Sequence, residues 1–253
     1  MLLNLIFVKR WQKVKIRCIS SGSTGNCYVL TDHNGDKLIL DCGVPIMAIE
    51  KAVGFDTYGI VGAVCTHKHK DHSLSVENLR KIGVPVIAPY EKKVPKFFMG
   101  NYTVQHFDLT TLDGRWTHTD TDGEPCPCYG FLIHHPEMGI LVYLTDTEFC
   151  KWKFNSPNHI LVSCNYQKER VSVDDPKTAH VFRGHMELGT VKDFVQANAS
   201  HSLINVMLCH MSAENAVDSE CVDDVKKIAC GANVMAMRPN MEVLLKKSRC
   251  PFA

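Results

Sequence analysis

The chain has 253 residues, 45% of them hydrophobic and 22% charged, the composition of a globular protein with room for one large domain or two small ones. A formal net charge of +1, with no long block of Lys or Arg, argues against a long polyanionic substrate gripped through many phosphates. No apolar run approaches the roughly 18 residues of a membrane span. Residues 2–8 lack the basic start and small-residue cleavage site of a signal peptide, so 1–12 is expected to be an extension ahead of one domain at 13–253.

In chain order, residues 14–19 alternate apolar and charged side chains as an edge-facing strand does, and a polar turn follows at 20–26. Residues 27–30 and 37–40 read as a hairpin around Asp32-His33-Asn34-Gly35-Asp36, and its second strand ends in Asp41-Cys42-Gly43. A helix is expected at 45–53, then a buried strand at 60–65 that runs into Thr66-His67-Lys68-His69-Lys70-Asp71-His72. Further on come helical character at 73–82, a short strand at 84–88 and a turn-rich polar segment at 102–130. Strands are expected at 129–134, at 139–145 ending in Asp146, at 159–164, and at 203–209 ending in His210. Helices are expected at 190–199 and 213–230, with a last strand at 232–236. Alternating strands and helices, without repeats or linkers, point to a layered α/β domain.

The 67–72 cluster could be only a basic, solvated loop, since Lys68 and Lys70 alternate with its histidines. Three histidines and an aspartate at the mouth of an apolar strand are, however, a ready source of nitrogen and oxygen ligands for a divalent metal. Twelve cysteines, mostly inside apolar runs such as Ala63-Val64-Cys65, read as buried thiols of a reducing, cytoplasmic setting. Cys126-Pro127-Cys128 has no second pair at zinc-finger spacing.

Four strands thus end in candidate ligands: Asp41, the 67–72 cluster, Asp146 and His210. This order resembles the metallo-β-lactamase superfamily, in which an aspartate after an early strand precedes His-x-His-x-Asp-His, a further histidine, an aspartate after Thr and a last histidine. Ser20-Ser21-Gly22-Ser23-Thr24-Gly25-Asn26-Cys27, Gly184-His185-Met186 and His210-Met211-Ser212-Ala213-Glu214-Asn215 are similar to a branch of that superfamily. It holds YycJ-like exonucleases and phage anti-Pycsar cyclic-nucleotide phosphodiesterases, relatives of the tRNA-processing ribonuclease Z.

The resemblance implies a single-domain αββα sandwich with two divalent ions, zinc or else manganese, in the groove between its sheets. One ion would take His67, His69 and a third-motif histidine, for which His118 fits best and His106 is the alternative. The other would take Asp71, His72 and His210, with Asp146 bridging. Such a pair, about 3.5–4 Å apart, can share a water and lower its pKa. Asp41 would stand behind a ligand and fix its tautomer, or else be a plain turn aspartate before Gly43.

Asp71 and His185 are the catalytic candidates, His185 as proton donor or phosphate contact. Ser212 and Asn215 could meet a phosphate, hold His210 or cap the following helix. Asn165-Tyr166 departs from the Asn-His of the exonuclease-like relatives. The implied activity is hydrolysis of 3′,5′-cyclic nucleotides by a homodimer. The alternative is a 5′-to-3′ exonuclease on DNA ends, which needs a basic channel for which Lys68, Lys70, Lys92, Lys93 and Lys96 are the nearby lysines. A third reading is a non-catalytic binding protein on a degenerate metal fold.

Overall fold

Two sheets carry the chain. The computed structural model describes residues 14–92, 96–120, 122–172, 182 and 184–247, and the expected extension at 1–12 and Lys93 lie outside them. In the first sheet β1 (Val14–Ser20), β2 (Cys27–Thr31) and β3 (Lys37–Leu40) are antiparallel neighbours. Strands β4 (Ile60–Val64) and β5 (Val86–Ile87) then continue parallel to β3.

The second sheet opens with an antiparallel set: β6 (Phe97–Met99), β7 (Tyr102–Asp108), β8 (Tyr129–His135) and β9 (Gly139–Leu144). Three strands then run parallel to β9: β10 (His159–Ser163), β11 (Asn205–Cys209) and β12 (Asn233–Ala236). The last strand, β13 (Glu242–Leu245), returns to the first sheet beside β1.

The central strands of both sheets are buried on two faces, which is why β10 and β11, for example, read as near-continuous apolar runs. Along β3, Leu38 and Leu40 point between the sheets, where they meet Phe131, Tyr143 and Met207. Ile39 points outward against α1 (Ile46–Ala52) and α3 (Val76–Lys81), through Ile49 and Leu79. Along β9, Leu141 and Tyr143 face inward. Val142 and Leu144 face the helices α4 (Leu188–Asn198) and α5 (Asp218–Ile228), with Val191, Val195 and Val225. The layers are therefore helix, sheet, sheet, helix, one αββα domain. Each fully buried Leu or Ile in them contributes roughly 1.5–3 kcal/mol.

Several expectations are corrected. The polar segment expected at 102–130 begins with the seven-residue strand β7, whose Tyr102 and Val104 are buried against β8. Strand β12 is not the last, because β13 follows with alternate exposure; one apolar face on a four-residue strand is a weak sequence signal. β1 is not an edge strand, since β13 covers its free side. The helix expected from 213 starts at Asp218. Ser212 Oγ takes the N–H groups of Glu214 and Asn215, and Gln167 Oε1 takes that of Val217, which holds the segment in a turn. The helical character expected at 73–82 is met by α3, and a separate short helix, α2 (Lys70–Ser73), precedes it within the histidine cluster. Among the described residues no helix is long and apolar enough to cross a membrane.

His159 is buried in β10 with both nitrogens engaged: Nε2–H donates to the Lys246 carbonyl at 3.1 Å, and Nδ1 accepts from Asn205 at 3.1 Å. Burial lowers its pKa from 6.5 to about 4. That difference is worth about 3 kcal/mol at about 1.4 kcal/mol per tenfold change in proton affinity. The unfolded chain takes the proton first as pH falls. Stability from the neutral ring is therefore complete above pH 6.5 and lost between there and about pH 4. Urea unfolding of metal-free protein at pH 7 and pH 4.5 should show wild type losing about 2–3 kcal/mol more than His159→Gln. Equal losses would show that His159 takes up its proton alike in the folded and unfolded chains, so that burial does not shift its pKa.

Candidate metal centre

The parallel strands β3 and β4 of one sheet, and β9 to β11 of the other, end on one side of the sandwich. Asp41 follows β3, the histidine cluster follows β4, and Asp146 and His210 follow β9 and β11. Asp41, Asp146 and His210 have left-handed backbones, with φ of 53°, 46° and 48°. Such conformations cost an L-residue about 1–3 kcal/mol each and persist where surroundings over-determine them, often at functional sites.

Around Asp41 the surroundings are explicit. One oxygen, Oδ1, accepts from Thr66 N at 2.8 Å. The other, Oδ2, accepts from Tyr143 OH at 2.6 Å, Thr66 Oγ1 at 3.0 Å and His72 Nδ1 at 2.7 Å. Two residues on, Gly43 passes so close to the next turn that a Cβ would lie 1.7 Å from the Asp71 carbonyl oxygen. Only glycine lets Asp41 and the Asp71-His72 pair share this corner.

Two groups of ligating side chains result, His67 with His69 and His118, and Asp71 with His72, Asp146 and His210. Tautomers follow from the outer partners. His118 Nδ1 is 3.1 Å from the Gly184 carbonyl, which only accepts, so Nδ1 carries the hydrogen and Nε2 the lone pair. His69 Nε2 is 3.1 Å from Asp120 Oδ1, which leaves the lone pair on Nδ1. Thr66 Oγ1 gives its hydrogen to Asp41 and accepts from His67 Nδ1 at 3.0 Å, so the His67 lone pair is on Nε2.

That Nε2 is buried without a hydrogen-bond partner. His69 Nδ1 and His118 Nε2 meet at 3.0 Å with no hydrogen to share. Three converging lone pairs without a donor are what a cation-binding shell presents.

In the second group His72 Nε2 has carboxylate oxygens of Asp146 at 3.1 Å and Asp71 at 3.3 Å, and the Asn26 amide at 3.0 Å. His210 Nε2 is a further buried, unpartnered nitrogen, 3.6 Å from Asp71 Oδ2. Asp146 Oδ2 is also 3.8 Å from His67 Nε2, so one carboxylate spans both groups. The residues fit two divalent ions.

Charge follows the same division. Burial, with His72 and His118 nearby, holds His67 well below the ordinary imidazole pKa, and burial lowers His118 to about 4. Burial opposes a charged His72 too, but Asp146 and Asp41 override it and raise its pKa strongly. Burial likewise disfavours the Asp146 carboxylate, yet His210 and His72 pull its pKa far down. A metal held by this group would have to displace a proton from His72, so its affinity would rise with pH.

Of the sequence candidates, the structure brings together His67, His69, Asp71, His72, His118, Asp146 and His210, with Asp41 behind His72. His106 is not among them; it lies on β7 against the ring of Tyr129. His185 stands beside the second group, its ring stacked on His210 at 5.5 Å and its Nδ1 3.7 Å from Asp146 Oδ1. Lys68, one of the lysines named for a basic channel, closes on Asp120 at 2.6 Å.

Asn165 holds His210, its amide 3.1 Å from Nδ1 and 3.0 Å from the carbonyl oxygen. Sequence reasoning missed Thr66, Tyr143, Asp120 and the Gly184 carbonyl. Only Asp120, two residues past His118 in a turn, carried a readable signal.

A family model described as the metallo-beta-lactamase superfamily matches residues 21–148. No curated protein matches the chain by sequence. Among solved structures, the metallo-beta-lactamase fold protein YhfI from Bacillus subtilis is 15% identical, with a TM-score of 0.66 over 92% of this chain and 99% of that one. Unliganded yeast PDE1 is 11% identical, with a TM-score of 0.63 over 92% and 99%. The short form of human tRNase Z is 11% identical, with a TM-score of 0.57 over 91% and 99%. At these identities the likeness is one of fold.

Proposed function

This chain belongs to the metallo-beta-lactamase superfamily, and from that premise we propose that it is a metal-dependent phosphodiesterase acting on 3′,5′-cyclic nucleotides. The observation that carries the reading is His185. A cluster of seven donor residues already suffices for two ions, and an eighth side chain, an imidazole, lies against it at Asp146 and His210. The fold neighbours yeast PDE1 and human tRNase Z are consistent with phosphodiesterase or nuclease chemistry on this scaffold.

Two divalent ions, zinc or manganese, would be held by His67, His69 and His118 on one side and by Asp71, His72 and His210 on the other, with Asp146 between. Ions so held supply Lewis acidity, lowering the pKa of a water and offsetting charge on phosphoryl oxygens. With only two carboxylates in the set, Asp71 and Asp146, the loaded site keeps surplus positive charge, which suits a phosphodiester monoanion. Opening the cyclic ester needs a water at phosphorus and a proton on the departing ribose oxygen. His185 delivers that proton, its ring held by Asp146 and His210.

The small substrate is favoured over DNA ends by charge. Net charge is +1, Lys68 is neutralised by Asp120, and Lys96 lies over the Phe98 ring at 5.6 Å. The test is a matched assay of zinc- and manganese-loaded protein on 3′,5′-cyclic nucleotides and end-labelled DNA. The expected result is consumption of a cyclic nucleotide with the DNA left intact. Shortened DNA beside untouched cyclic nucleotides would establish the exonuclease reading instead.

A further inference from the structure

Each of the five clustered imidazoles has an outer partner, but one partner differs in kind. His67, His72, His118 and His210 lean on Thr66, Asp41, the Gly184 carbonyl and Asn165, all from the buried layers. His69 is the most exposed of the five, its side chain 20% accessible, and has no core group behind it. Its Nε2 meets Asp120, which stands on a surface turn.

That turn lies between His118 and β8. It closes through Asp120 N to the Glu124 carbonyl at 2.7 Å and Gly123 N to the Asp120 carbonyl at 2.9 Å, with Gly123 at a φ of 80°. Lys68, next to His69 in sequence, covers the other carboxylate oxygen at 2.6 Å.

We propose that Asp120 is a positioning residue for the metal site, selecting the His69 tautomer that turns Nδ1 toward His118, and that Lys68 holds Asp120 in place. The inference rests on His67, His69 and His118 holding an ion, and is independent of the substrate. A ligating imidazole presents one nitrogen only if the other carries the hydrogen, and a carboxylate at that hydrogen enforces the choice. A core carbonyl does this for His118, but His69 is anchored from outside. The turn links it to the third residue of the same group: Asp120 is two residues beyond His118 and bonded to His69. Lys68 is thereby a clamp on the carboxylate, not a free cation awaiting phosphate.

The test uses the full-length metal-free protein and zinc alone, titrated against a chromophoric chelator, with ring 15N NMR to read tautomers. Asp120→Ala should weaken one of two sites by about 10- to 100-fold and leave the other near wild type. The His69 ring should then shift from a single Nε2–H tautomer to a mixture. Asp120→Asn keeps an acceptor oxygen in the same turn, recovers part of the affinity, and serves if the alanine variant fails to fold. Lys68→Ala, which removes an exposed ion pair, should change affinity by no more than about fivefold.

Wild-type affinity at both sites and an unchanged His69 tautomer in Asp120→Ala would overturn the proposal. If His69→Ala meanwhile loses an ion, the metal centre stands and only the role of Asp120 falls. If His69→Ala keeps both ions at full affinity, the assignment of His69 as a ligand falls, and the role of Asp120 with it.

Discussion

Alanine at Asp146 should lower hydrolysis of a cyclic nucleotide by at least about 1,000-fold and leave fewer than two metal ions per chain, because the lost metal stabilisation is worth several kcal/mol at about 1.4 kcal/mol per decade. Asp146 faces both ligand groups, with oxygens 3.1 Å from His72 Nε2, 3.8 Å from His67 Nε2 and 3.3 Å from His210 Nδ1. It is almost fully buried, and its left-handed backbone fits no β-branched replacement well. Removing it leaves the raised proton affinity of His72 with Asp41 as the remaining buried counter-charge. Activity and metal content, read together by elemental analysis and product assay, should fall together. Full activity with a single ion would show that one site suffices.

Replacement of His185 should separate chemistry from metal binding. His185→Asn is expected to keep two ions per chain and to change KM little, while kcat falls by about 100- to 10,000-fold, the usual contribution of a placed proton donor. The pH profile of kcat should also lose the limb that reports a protonated acid. Loss of metal together with kcat would assign His185 a structural part, through its stacking on His210 and its approach to Asp146. The neighbouring glycine explains why the loop lies so near: at Gly184, φ 130°, a Cβ would stand 2.6 Å from His118 Nδ1.

The candidate ligand cluster was readable where its residues follow strands whose apolar runs are conspicuous, so that each comes with a predicted place at a strand mouth. His67, Asp146 and His210 belong to this class, and Asp41, behind His72, shares the same placement. His118 and His106 could not be separated by spacing alone, since both precede β8 by a turn-rich stretch whose path depends on three-dimensional pairing. In the fold His106 is taken up in β7, opposite Phe131 of β8, and that removes it from the cluster.

The outer partners were harder still. Tyr143 reads as a core residue of β9 and is one, yet its hydroxyl reaches Asp41 in the other sheet. Contacts between sheets, 102 positions apart in this case, leave no local trace in one sequence. The same holds for β13, which pairs with β1 from the far end of the chain. The pairing of Lys68 with Asp120 was equally illegible, because a loop sequence does not show which carboxylate lies nearby.

The most direct test of the centre is a zinc titration of chelator-stripped protein, with hydrolysis of a 3′,5′-cyclic nucleotide followed at each addition. The expected result is no hydrolysis by the stripped protein and a rate that reaches its plateau as a second equivalent per chain binds. Full hydrolysis by the stripped protein, confirmed metal-free by elemental analysis, would contradict the metal-dependent mechanism built on His67 to His72, Asp146 and His210.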